Sequence, residues 1–140
     1  MKIQLRHPQA KIPTRANPWD AGADLYSVEN GYLNPGERKL FDTGVAIELP
    51  DSYVGYVCPR SGLAVKKGLS IVNSPGVIDS GYRGTLLINL INLGQEAHWV
   101  DVGDRIAQLI VQQVTFPNFE LADELATSVR GDKGWGSSGA

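Results

Sequence analysis

TLLINLINL, residues 85–93, is apolar on both faces of an extended chain. A strand of that kind needs cover on both sides, which a sandwich core or a subunit interface supplies. The neighbouring runs are strands of a plainer type. VAIEL (45–49) sets Val45, Ile47 and Leu49 on one face and Ala46 and Glu48 on the other. YVGYVC (53–58) reads the same way, as does IAQLIVQQV (106–114). In the latter, Ala107, Leu109 and Val111 form an apolar face opposite Gln108 and Gln112. Turn signals NPGE (34–37), LPDS (49–52) and NSPG (73–76) punctuate these runs. Short strands at this spacing predict an all-β sandwich or jelly roll. One short helix is predicted at SGLAVKKG (61–68), with Ser61 as N-cap, Lys66 and Lys67 in the last turn and Gly68 ending it. ELADELA (120–126) reads equally as a helical turn or an edge strand.

The chain has 140 residues, 42% hydrophobic and 20% charged. That length suits one domain burying about 68% of its unfolded surface, so wholesale disorder, collagen and coiled coil are excluded. Thirteen basic and fifteen acidic side chains leave a net charge of −2, which argues against binding duplex nucleic acid through a phosphate-neutralising face. The single cysteine, Cys58, cannot close a disulfide within the chain, and with two histidines it cannot build a His/Cys zinc cage. The opening MKIQLRHPQAKIP has no apolar signal region, and no run approaches the roughly 20 apolar residues of a membrane span. A cytoplasmic location is the expectation. Composition changes at about residue 127: SVRGDKGWGSSGA (128–140) holds Val129, Trp135 and Ala140 as its apolar side chains. Residues 1–127 therefore read as a β domain and 128–140 as a mobile arm.

The sequence contains no Walker loop, HExxH, Rossmann fingerprint or nucleophile elbow. What remains is a series of glycine-flanked polar clusters: AGADLYS (21–27), PRSGLA (59–64), NSPGVIDSGYRG (73–84), GDRIAQ (103–108) and RGDKGWGSSG (130–139). Arginines, backbone amides, hydroxyls and a few aspartates are an inventory for holding phosphates and one flat ring. PRSGLA places Arg60, Ser61 and Gly62 at a helix start, where free amides and the dipole favour an anion. Its plainer use is an N-cap beside a solvated arginine.

These five clusters, in this order and spacing from about residue 12 to 139, resemble the five motifs of the trimeric dUTP pyrophosphatases (dUTPases). The resemblance implies a distorted jelly-roll-like β-barrel or sandwich with one short helix and a flexible C-terminal arm. It also implies a homotrimer whose sites are shared between subunits, hydrolysis of dUTP to dUMP and pyrophosphate, and Mg²⁺ carried mainly on the substrate phosphates. Asp79 is implied as the general base that orients and deprotonates the attacking water, where DSG alone suggests an Asx turn. Arg60, Ser61, Gly62 and Gln108 are implied phosphate contacts. Asn73, Gly76, Val77, Ile78 and the backbone near Leu87 are implied to surround uracil and deoxyribose. In the hairpin expected there, unpaired buried donors would reject cytosine. Tyr82 would lie against the deoxyribose and exclude a 2′-hydroxyl. Asp24 is implied to support metal-bound waters, and Arg105 to make a structural ion pair. In the arm, Arg130, Gly136, Ser137 and Ser138 would hold the γ-phosphate end, and Trp135, where phenylalanine is usual, would stack on uracil. Two rivals stay open: a dCTP deaminase-related enzyme, and a non-catalytic dUTP-sensing protein that kept the pocket.

Overall fold

The computed structural model describes residues 1–134. Ten strands and one helix follow in order: β1 (Lys2–Leu5), β2 (Ala23–Tyr26), β3 (Gly31–Leu33), β4 (Arg38–Glu48), β5 (Tyr53–Cys58), α1 (Ser61–Lys67), β6 (Leu69–Ile71), β7 (Gly76–Ile78), β8 (Thr85–Asn92), β9 (His98–Val100) and β10 (Arg105–Gln113). They form two four-stranded antiparallel sheets, ordered β1-β4-β8-β6 and β2-β10-β5-β7, with β3 and β9 paired separately. One buried cluster joins the two large sheets. Phe41, Val45, Ile47, Leu86, Ile88 and Leu90 enter it from the first, and Leu25, Val57, Ile106 and Leu109 from the second. This is the all-β, jelly-roll-like sandwich that the alternation of VAIEL and IAQLIVQQV predicts, since period-two alternation buries every second side chain between sheets.

Few polar groups enter that core, and each is bonded. Asn92, fully buried at the end of β8, donates through Nδ2 to the carbonyls of Leu33 (3.0 Å) and Glu96 (2.7 Å), and its Oδ1 accepts from the Gly94 amide (2.9 Å). Thr43 donates to the Leu86 carbonyl at 2.8 Å. Buried polar groups satisfied in this way pin a register, because a slip would strand them without partners.

Three expectations need correction, and a fourth is half met within one chain. Within one chain β8 is covered on one face: Leu86, Ile88 and Leu90 are buried, while Leu87 on the other face is 47% exposed, the face left for the expected subunit interface. The helix begins at Ser61, so the N-cap position belongs to Arg60, whose backbone is extended and whose side chain makes no capping bond. Gly68 ends the helix in the left-handed region (φ 66°), as expected, and its amide closes on the Ala64 carbonyl. The NSPGVIDSGYRG segment is not a two-stranded hairpin, because β7 pairs with β5 while β6 and β8 lie in the other sheet. ELADELA is neither helix nor strand; it is exposed irregular chain beyond β10.

Candidate active site

Strand register brings the first, second and fourth clusters together. Gln108 of β10 lies opposite Asp24 of β2 on one side and opposite Cys58 of β5 on the other. β5 then passes through Pro59 into α1, so Arg60 arrives beside the β2–β10 ladder. Arg60 Nε donates to Asp24 Oδ1 at 2.7 Å, and Arg105 Nη1 lies 3.3 Å from Asp24 Oδ2. Arg60 Nη1 also donates to the Arg105 carbonyl at 3.2 Å. The Asp24 carboxylate is thus held at both oxygens, and each guanidinium keeps N–H groups with no partner among the described residues. Such a pair is oriented for an anion and restrained from swinging away.

These groups wall a cleft of about 430 Å³, together with Asp20–Gly22, Ser61, Gly62 and Gln108. A side chain added at Gly62 would meet nothing within 4 Å, so the bare backbone faces open space where a phosphate can approach. Gln108 Nε2 donates to the Pro59 carbonyl at 2.8 Å, which fixes the amide and leaves its second N–H for a ligand. Arg60, Ser61, Gly62 and Gln108 therefore line one cleft, and Arg105 makes the ion pair expected of it.

Magnesium fits this cleft only as a passenger on phosphates. Asp24 is occupied by two arginines, and Asp20 accepts from the Asn17 amide at 2.8 Å. Among the described residues no group of three His, Cys, Asp or Glu side chains could hold a metal. Mg²⁺ retains several waters and binds substrate phosphates readily, so this donor set suits an ion carried on those phosphates.

A second constellation lies elsewhere. Gly76 is buried on β7, Ile78 packs against the core, and Val77 between them projects outward, 60% exposed. Asn73 is exposed, with Nδ2 close to Gly76. Asp79 is exposed beyond the strand, and its carbonyl accepts from the Tyr82 amide at 3.0 Å. Its carboxylate has no hydrogen-bond partner among the described residues, so the Asx-turn reading of DSG fails and the group is free to act on a ligand. Tyr82 OH donates to the Thr85 carbonyl at 3.0 Å. No residue from 73 to 87 lines the Asp24–Arg60 cleft. Within one chain the two constellations stand apart. Arg130 is exposed and donates to the Lys133 carbonyl. Trp135, Gly136, Ser137 and Ser138 lie outside the described residues.

The parts played by Asp20 and Gly22 escaped the sequence reading. Asp20 is set by the NPWD turn, whose Asn–Asp pairing was a usable signal. Gly22 backs Gln108: a Cβ there would stand 2.9 Å from Gln108 Cδ and 3.3 Å from its Cβ.

A dUTPase family profile matches residues 8–139 of this chain, spanning both constellations and the arm. The chain belongs to the dUTPase family. Among curated family members it is 53% identical to the deoxyuridine 5′-triphosphate nucleotidohydrolase of Rhodococcus erythropolis, over 94% of this chain and 81% of that protein. It is 48% identical to the enzyme of the same name from Corynebacterium glutamicum, over 99% and 94% of the two chains. Among solved dUTPase structures, that of Staphylococcus bacteriophage 80alpha with dUPNHPP superposes with a TM-score of 0.94 at 32% identity, covering 99% of this chain and 98% of that one. A mutant dUTPase of the S. aureus phage phi11, whose structure describes coordination of a structural Mg(II) ion, superposes at 0.82 with 29% identity, covering 88% and 96%. Among the described residues, no helix is long and apolar enough to cross a membrane.

Proposed function

We infer that this chain hydrolyses dUTP to dUMP and pyrophosphate, with the triphosphate in the Asp24–Arg60–Gln108 cleft and Asp79 as general base. Membership of the dUTPase family carries the reaction. The free Asp79 carboxylate is the single observation that best supports its role. Asp79 takes a proton from a water held in line with the α-phosphorus. The water oxygen bonds to that phosphorus, the bond to the α–β bridging oxygen breaks, and pyrophosphate leaves with the electron pair. Arg60, the amides of Ser61 and Gly62, and Gln108 bind the negative oxygens and hold the chain of phosphates in line. Mg²⁺, when bound, neutralises charge on those oxygens, and Asp24 reaches it through water. Asn73, Gly76, Val77, Ile78 and the Leu87 backbone bound the uracil and sugar, with Tyr82 against the deoxyribose.

The site is completed between subunits of a homotrimer. Several observations support this: Asp79 and the cleft stand apart within one chain, and the outer face of the β4–β8 pair exposes Leu87 diagonally across from Leu40. The apolar side chains Phe116, Phe119, Leu121 and Leu125 are also exposed on the irregular chain after β10, where a neighbouring subunit would cover them. Residues 128–140 form the closing arm, with Arg130 and Gly136-Ser137-Ser138 at the γ-phosphate and Trp135 over the uracil. The reaction limits uracil entry into DNA and supplies dUMP for thymidylate synthesis, in the cytoplasm. Pyrophosphate release from dUTP, compared with dCTP and UTP, tests the reading. Rapid release from dUTP alone is expected, whereas ammonia from dCTP would indicate a deaminase and binding without release a sensor.

A further inference from the structure

Tyr82 is held in an unusual way for a half-exposed aromatic. Its hydroxyl donates to the Thr85 carbonyl three residues ahead, at 3.0 Å, so the ring folds back across the intervening backbone. The residue beneath it is Gly84. A Cβ built on Gly84 would stand 2.5 Å from Tyr82 Cζ and 3.0 Å from Cε2, and closer still to the hydroxyl. All three of its nearest atoms belong to Tyr82. These distances are far inside van der Waals contact, and a phenol ring cannot bend away as an aliphatic chain can. Any side chain at position 84 therefore expels the ring from its seat and breaks its bond to Thr85. Space for the displaced ring exists, because Tyr82 is 41% exposed.

We propose that Gly84 is a positioning residue for sugar selectivity: its missing side chain seats the Tyr82 ring, and the seated ring is what excludes a 2′-hydroxyl. The inference rests on the placement of Tyr82 against the deoxyribose described above. Gly84 touches no substrate itself. It acts by fixing where the tyrosine wall stands, and a ring driven from its seat leaves room for one more oxygen atom. Gly84 lies outside the left-handed backbone region, so alanine there brings no φ strain and should leave the fold intact.

The test measures kcat/KM for dUTP and for UTP in the parent enzyme and in Gly84→Ala, Tyr82→Ala and Tyr82→Phe, together with the Gly84→Ala/Tyr82→Ala double variant. Gly84→Ala is expected to raise the UTP-to-dUTP ratio by about tenfold or more, the scale of one misfitted group in a pocket. In the Tyr82→Ala background the same change should leave the ratio within twofold, because no ring remains to displace. Tyr82→Phe keeps Gly84 and removes only the anchor to Thr85; it should relax the ratio in the same direction by a smaller factor, and it keeps the question answerable if Gly84→Ala folds poorly. Should Tyr82→Ala itself leave the ratio unchanged, the tyrosine is not the sugar wall and the reading beneath the proposal falls. If Tyr82→Ala relaxes selectivity while Gly84→Ala and Tyr82→Phe do not, the wall is real but its seating by Gly84 is overturned.

Discussion

Arg60 Nε stands 2.7 Å from Asp24 Oδ1, while the other oxygen of the same carboxylate faces Arg105. One aspartate thus positions both arginines of the cleft, and it does so from a strand whose register is fixed by β10. Asp24→Ala is expected to destabilise the fold by about 2 kcal/mol, the scale of lost bonds to a charged partner. It should also weaken dUTP binding, since two unrestrained guanidiniums repel each other. Thermal unfolding and KM measure the two effects, and a variant unchanged in both would remove Asp24 from the site.

Asp79 offers a cleaner separation of binding from chemistry. Its carboxylate is exposed and bonded to nothing described, so Asp79→Asn should fold and bind normally. Hydrolysis should fall by roughly 10²-fold or more, the scale of a lost general base. Binding of a non-hydrolysable analogue together with the steady-state rate decides it, and a rate within threefold of the parent would reject the assignment.

Much of this was legible in the sequence because it is local. Alternation in VAIEL and IAQLIVQQV gives the core-facing Val45, Ile47, Ala107 and Leu109 directly, while Ala46 and Ile106 are buried out of phase, and Gly68 ends α1 as read. The misreadings at the site come chiefly from pairing at long range. Nothing in NSPGVIDSGYRG states that β7 will pair with β5, some twenty residues earlier, instead of folding on its neighbours. The N-cap fell on Arg60 instead of Ser61 because the boundary is set by where the chain leaves β5, not by side-chain preference. Gly22 was invisible as a seat for Gln108, since that contact exists only once β2 and β10 are in register. The distance between Asp79 and the cleft is likewise a tertiary fact. Clusters one, two and four meet in the single chain, while the third stands apart from them.

Cys58 provides a test of the β5–β10 seam. Burial raises its thiol above the usual range, because the thiolate loses hydration there. A thiol raised in the folded state stabilises the fold below its unfolded pKa, and that contribution is lost as pH rises through the folded value. The loss belongs to the alkaline side, above the ordinary thiol value of about 8.5. At pH 8 alkylation of Cys58 should run slower in the native protein than in urea. Equal rates would show that the seam is open.

The last prediction concerns the sharing of sites between subunits, and it follows from the separation of Asp79 from the Asp24–Arg60 cleft. Suppose each site takes Asp79 from one chain and the arm from the next round the ring. Asp79→Asn chains and chains lacking residues 128–140 are then each nearly inactive alone. After subunit exchange in equal amounts, roughly three-quarters of trimers contain both kinds of chain under random cyclic assembly. In every mixed ring one site of three receives an intact Asp79 from a shortened chain and an intact arm from an Asp79→Asn chain. About a quarter of the parent activity should therefore return. Were Asp79 and the arm to come from the same chain, no site in any mixture would be complete. Activity that stays at the sum of the separate variants, once mass measurement has established mixed trimers, would reject the shared site, and assemblies of any size other than three would reject the trimer.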